Sequence, residues 1–96
     1  MKVSEKITKL RSEIRRIAKK HGARNLRVFG SVARGEDTEH SDLDLLIDVA
    51  PKHSPFFPGG LVMDLEELLG VQVDVVTENG LHRLIKQDVL KEARKL

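Results

Sequence analysis

Apolar positions recur along the chain in two rhythms. Between residues 3 and 21, Val3, Ile7, Leu10, Ile14 and Ile17 are spaced by three and four, with Lys, Arg and Glu between them. That spacing predicts one amphipathic helix. His21-Gly22 supplies its stop, because glycine takes the left-handed conformation past a last turn. The stretch LRVFG (26–30) reads as a short strand closed by glycine, SVARG as one helical turn ended by Gly35, and EDTEHS as a polar loop. From 43 to 49 the period drops to two. Leu43, Leu45, Ile47 and Val49 share one strand face, while Asp42, Asp44, Leu46 and Asp48 share the other. A loop holding all three prolines, APKHSPFFPGG, leads to a helix over 61–69 with Leu61, Leu65, Leu68 and Leu69 inward. VQVDVVT (71–77) gives a third strand, and 81–96 a closing helix.

This order predicts an α/β (α+β) fold in a single 1–96 domain, one layer of helices against a small mixed sheet of three or so strands. A helical crossover makes the second and third strands parallel if adjacent, and the first strand reverses to pair antiparallel with the second. Gly30, ending the first strand, then lies at the sheet edge where Asp42 opens the second.

Composition narrows the function classes. Hydrophobic residues make up 40% and charged residues 33% of 96, which suits a folded domain rather than a disordered one. There is no cysteine, so disulfides and thiolate metal sites are excluded. No stretch approaches the ~20 apolar residues of a membrane span, and the charged start is unlike a signal peptide. The expected address is cytoplasmic, with no membrane partner. The net charge of +2 is uneven: Lys9, Arg11, Arg15, Arg16, Lys19 and Lys20 at one end match Lys91, Arg94 and Lys95 at the other, around an acidic middle. With three Phe as the only aromatics, no stacking platform exists, which disfavours nucleic acid as a direct partner.

The acidic middle carries the candidate chemistry. Asp42 and Asp44, two apart at the head of a strand, leave the same face roughly 7 Å apart at Cα. Asp74 interrupts the third strand, on the face opposite Val71, Val73 and Val75, and with parallel neighbours about 4.8 Å apart it can be level with Asp44. Three converging carboxylates repel unless a hard divalent cation joins them. Magnesium keeps waters and takes remaining ligands from substrate phosphates; two such ions suit in-line phosphoryl displacement. Gly30-Ser31 offers backbone N–H groups, a hydroxyl and a close approach for phosphate, and Arg34 a cation one turn on. Each signal alone has a plainer reading: Gly-Ser as a turn, Ser-Asp-x-Asp as capping aspartates, Asp74 as a solvated strand position. Their conjunction is the demanding pattern. His21, His40, His53 and His82 read as surface residues, Glu36, Asp37 and Glu39 as a solvated loop, and Phe56-Phe57 as core cover or a partner contact.

GSVARGEDTEHSDLDLLIDV resembles the G-S-x(10)-D-x-D signature of the polymerase-β-like nucleotidyltransferases, most closely the minimal nucleotidyltransferase group. LEELLGVQVDVVT resembles that group's lead into its third aspartate, and VLKEARKL its final helix. The last helix departs from the group in lacking a proline near its start. The resemblance implies a palm-like nucleotidyltransferase fold, with two magnesium ions held by Asp42 and Asp44. Asp74 would bind one ion and help activate the nucleophile, while Gly30 and Ser31 hold the nucleotide's phosphates. It further implies transfer of AMP from ATP onto a tyrosine hydroxyl of a partner HEPN-domain RNase toxin, making the chain its antitoxin. The rival reading is a non-enzymatic module that neutralises the toxin by occlusion. Association with copies of itself or with a partner chain is left open.

Overall fold

The computed structural model describes residues 1–96. In chain order the elements are α1 (Val3–Lys9), α2 (Arg11–His21), β1 (Ala23–Phe29), α3 (Ser31–Arg34), β2 (Leu43–Val49), α4 (Gly59–Leu69), β3 (Val73–Val76), a 3-10 turn (Glu78–Gly80), α5 (Arg83–Glu92) and β4 (Arg94–Lys95). The sheet order is β3-β2-β1-β4, with β2 and β3 parallel and the β1 pairings antiparallel. Strand β2 keeps its expected bounds and alternation: Leu43, Leu45 and Ile47 enter a core of 14 buried residues with Ile14, Ala18, Leu61, Leu65 and Leu69.

Five expectations need correction. The single helix over 3–21 is two, joined at Leu10, where φ is −105° and ψ 17°. No proline or glycine marks the break. Instead, anchors outside the helix fix the direction of α1. Val3 N–H donates to the Thr38 carbonyl, Ser4 N–H to the Asp37 carboxylate (2.8 Å), and the Lys6 ammonium to the Leu69 carbonyl (3.0 Å). Asp37 is therefore no solvated loop residue: it is 5% exposed and caps α1 from afar. Burial alone would raise its pKa, yet the hydrogen bonds from Ser4 hold it below the ordinary value.

The closing helix stops at Glu92, short of its expected end at 96, and Arg94–Lys95 add a fourth strand along β1 to the expected small mixed sheet. Extended backbone at Ala93 turns the chain, and burial of Leu96 in the main core fixes the end. The helices also do not form one layer. Since β4 runs parallel to β3 but lies beyond β1, the right-handed rule carries α5 across the face opposite α4. Leu46 and Val89 are accordingly buried outside the main core cluster.

Finally, His21 is not a surface residue. Its ring is 11% exposed and joins Ser54 Oγ (3.0 Å) and Asp64 Oδ2 (2.7 Å), pinning α2 to the proline loop and α4. In that loop Phe57 packs against the core while Phe56 stands 83% exposed.

Candidate active site

Strand register builds the site. Asp44 is the Cα partner of Asp74 across the parallel β2–β3 ladder and of Phe29 across the antiparallel β1–β2 ladder. Register partners point to the same side of a sheet. Asp44 and Asp74 therefore share a face, and it is the face away from the 14-residue core. Asp42 precedes β2 by one residue and is exposed at the sheet edge, as is Asp74, while Asp44 is half-buried. Asp42 comes close enough for its charge to act on Asp44.

The electrostatics of Asp44 record the crowding. Its pKa is raised, first by burial, then by the charges of Asp74 and Asp42, with Arg34 pulling the other way. A carboxylate so placed has negative charge in excess. The three carboxyls are neighbours rather than a finished cage: no three acidic or imidazole groups close into a ready metal-binding cluster. Hard oxygen donors, few in number and over-charged, fit magnesium, which retains waters and shares phosphate ligands.

Gly30 sits beside this cluster. Its φ of 75° belongs to the region that favours glycine, and a Cβ there would collide with the Asp44 carboxylate. Only a bare backbone lets β1 turn into α3 this close to β2. Ser31 opens α3, and Arg34 N–H closes the turn on the Gly30 carbonyl at 3.1 Å. The Arg34 side chain lies within electrostatic reach of Asp44. Gly30, Ser31, Arg34, Asp42, Asp44 and Asp74 thus occupy one end of the sheet.

Arg27, on β1, is held by Asp48 (2.8 Å) and Glu78 (3.3 Å). At the start of α5, which lacks a proline, His82 Nδ1 accepts the Leu84 N–H at 3.1 Å and caps the helix.

Sequence reasoning missed Glu92. Its carboxylate accepts the Gly30 N–H and both its oxygens accept from Arg34 Nη1, at 3.1 and 3.0 Å. This contact raises the Arg34 pKa above its ordinary value. A signal was available: an acid in the last turn of a helix opposes the macrodipole, so such a residue is placed there for something else. The largest cavity, about 560 Å³, is not at this site but at the opposite end of β1, lined by Arg15, Lys19, Arg24, Lys52 and Lys95.

The chain is similar to several known proteins. Residues 7–96 match the nucleotidyltransferase domain family. The protein adenylyltransferase MntA of Thermococcus cleftensis is 40% identical over 76 residues, 79% of this chain and 77% of that protein. A solved structure provisionally described as a minimal nucleotidyltransferase superposes with a TM-score of 0.83 at 43% identity, covering 100% of this chain and 97% of the other. A chain from a mutant toxin–antitoxin MntA–HpeT crystal structure shares the fold, with a TM-score of 0.69 at 23% identity over 90% of this chain and 70% of its own. No helix is long and apolar enough to cross a membrane. With an aspartate pair and a third aspartate in register beside a glycine turn, the chain belongs to the nucleotidyltransferase family in its minimal form.

Proposed function

We propose that this nucleotidyltransferase is a cytoplasmic, magnesium-dependent protein adenylyltransferase, moving AMP from ATP onto a tyrosine hydroxyl of a partner HEPN-type toxin and so acting as its antitoxin. The single observation that supports it most is the Asp44–Asp74 register beside Gly30. It joins a carboxylate cluster to a backbone turn that admits phosphate.

Asp42 and Asp44 would hold magnesium, with Asp74 as a further ligand. The metal supplies charge neutralisation at the phosphate oxygens and a lower pKa for an oxygen nucleophile. Gly30 and Ser31 orient the triphosphate through main-chain N–H groups and a hydroxyl, and Arg34 offsets its charge. The acceptor oxygen bonds to the α-phosphorus, and its proton passes to the Asp74 carboxylate. The bond to the α–β bridging oxygen breaks, and pyrophosphate leaves with the electron pair. Catalysis on this plan is positioning and electrostatics, as phosphoryl transfer generally requires. The toxin brings the acceptor. The name of the Thermococcus relative and the toxin–antitoxin context of the MntA fold neighbour support that choice.

Incubation with the partner toxin, magnesium and ATP labelled in the α-phosphate tests the reading. The expected result is label on a toxin tyrosine, removed by Asp42→Ala and by chelation. Neutralisation of the toxin with no label on it would instead establish occlusion.

A further inference from the structure

We infer that Glu92 is a resident anion that occupies the phosphate position and must be displaced by ATP, so that the end of α5 acts as a latch on nucleotide binding. The inference rests on the nucleotide site proposed above and adds what governs its affinity.

Three observations converge. Two groups suited to grip a phosphate, the Gly30 N–H and Nη1 of Arg34, both donate to one carboxylate on another element, 62 and 58 residues away in sequence, while Nε of Arg34 faces Glu36 at 3.3 Å. The single Gly30 N–H serves one acceptor at a time, and a carboxylate seated on it repels an incoming triphosphate. Second, Glu92 lies in the last turn of α5, where a negative charge is unfavourable for the helix. Its contact with the cradle compensates that placement. Third, α5 is lightly held. Val89 is its one buried residue, Leu84 and Ile85 are 77% and 51% exposed, and the Glu92 side chain is itself 26% exposed. A rotation of the Glu92 side chain toward water frees the donors without unfolding the helix.

A bracing role for Glu92, in which it holds Arg34 ready for phosphate, makes the opposite prediction. A brace would leave the Gly30 N–H free for the ligand, whereas here Glu92 takes it. Competition lowers the apparent affinity by the fraction of time the cradle is open, so a latch closed about nine-tenths of the time costs roughly tenfold.

The experiment measures Mg-ATP affinity by titration calorimetry for the wild type, Glu92→Gln, Glu92→Ala and Asp44→Asn, with helicity checked for each. The expected result is roughly tenfold tighter binding in both Glu92 variants, and a KM for ATP that falls in proportion while kcat changes less. Unchanged or weaker binding in the two Glu92 variants overturns the latch. If the wild type binds Mg-ATP and Asp44→Asn does not, that failure belongs to the latch alone. If neither the wild type nor any Glu92 variant binds Mg-ATP, the nucleotide site fails and the latch with it.

Discussion

The two ends of the β1–β2 ladder carry opposite charge and hold it differently. At the Asp44 end, three aspartates on or beside neighbouring strands crowd a half-buried site, and one of them is pushed toward protonation. At the Ala23 end, Arg15, Lys19, Arg24, Lys52 and Lys95 surround the largest cavity, with no acidic side chain lining it. The difference is one of tether length. An aspartate on a strand has one methylene and cannot leave its neighbours, whereas lysine and arginine stems let their charges splay into water. Concentrated charge becomes a site when backbone register prevents it from relaxing. A cavity and a charge count do not identify one.

The sharpest break of this comparison is at the acidic end. Asp42→Ala or Asp74→Ala is expected to lower AMP transfer at least about a hundredfold, with the circular dichroism of the fold unchanged. Retention of full transfer by either variant would refute the site assignment. Gly30→Ala comes next. The added Cβ meets the Asp44 carboxylate at a positive φ, so unfolding should become easier by roughly 1–3 kcal/mol. In an Asp44→Ala background the penalty should shrink, because the collision partner is gone. Additive losses in denaturant titrations would contradict the close approach.

Titration separates two aspartates that differ in sign. The Asp44 pKa is raised above 3.8, so its ionised form opposes folding at neutral pH, and that opposition fades as pH falls through the raised value. Asp44→Asn should therefore raise the metal-free Tm by a few degrees, about 2–6 °C after allowing for solvent at the site, and should abolish the further rise in Tm that the proposed magnesium site predicts for the wild type. Asp37 runs the other way. Its pKa is lowered below 3.8, so its capping of α1 is present above that pH and lost as pH falls through the lower value. Asp37→Ala should cost about 1–2 kcal/mol at pH 7 and flatten the acid limb of the stability curve.

The smallest effect is expected at the basic end. Lys19→Glu with Lys95→Glu should change Mg-ATP affinity less than about twofold at physiological salt. Seven strand residues put the two ends roughly 20 Å apart, beyond a Debye length of about 8 Å. A tenfold change would mean that the two ends are coupled after all.

Strand β2 could be read from its letters because alternation is a local property. Each side chain's face follows from its parity, and Leu43, Leu45 and Ile47 went to the core while Asp44 did not. The break at Leu10 could not, since the residues that bend the path of α1 are Asp37, Thr38 and Leu69, all distant in sequence. The same holds for His21, whose partners Ser54 and Asp64 lie 33 and 43 residues on. Strand β4 is two residues long, too short for any periodicity, and exists because β1 offers it an open edge.

By itself the sequence determined the ingredients of the site: three aspartates at strand positions, a glycine-serine turn and an arginine one turn later. Spacing of two along a strand and the order of strand, helix, strand require nothing beyond the chain's own geometry. Only the tertiary structure decided that Asp74 falls level with Asp44, and that a glutamate from the far end of the chain fills the cradle between Gly30 and Arg34. Register and long-range contact are set by how the core packs, and packing is a property of the whole fold rather than of any segment.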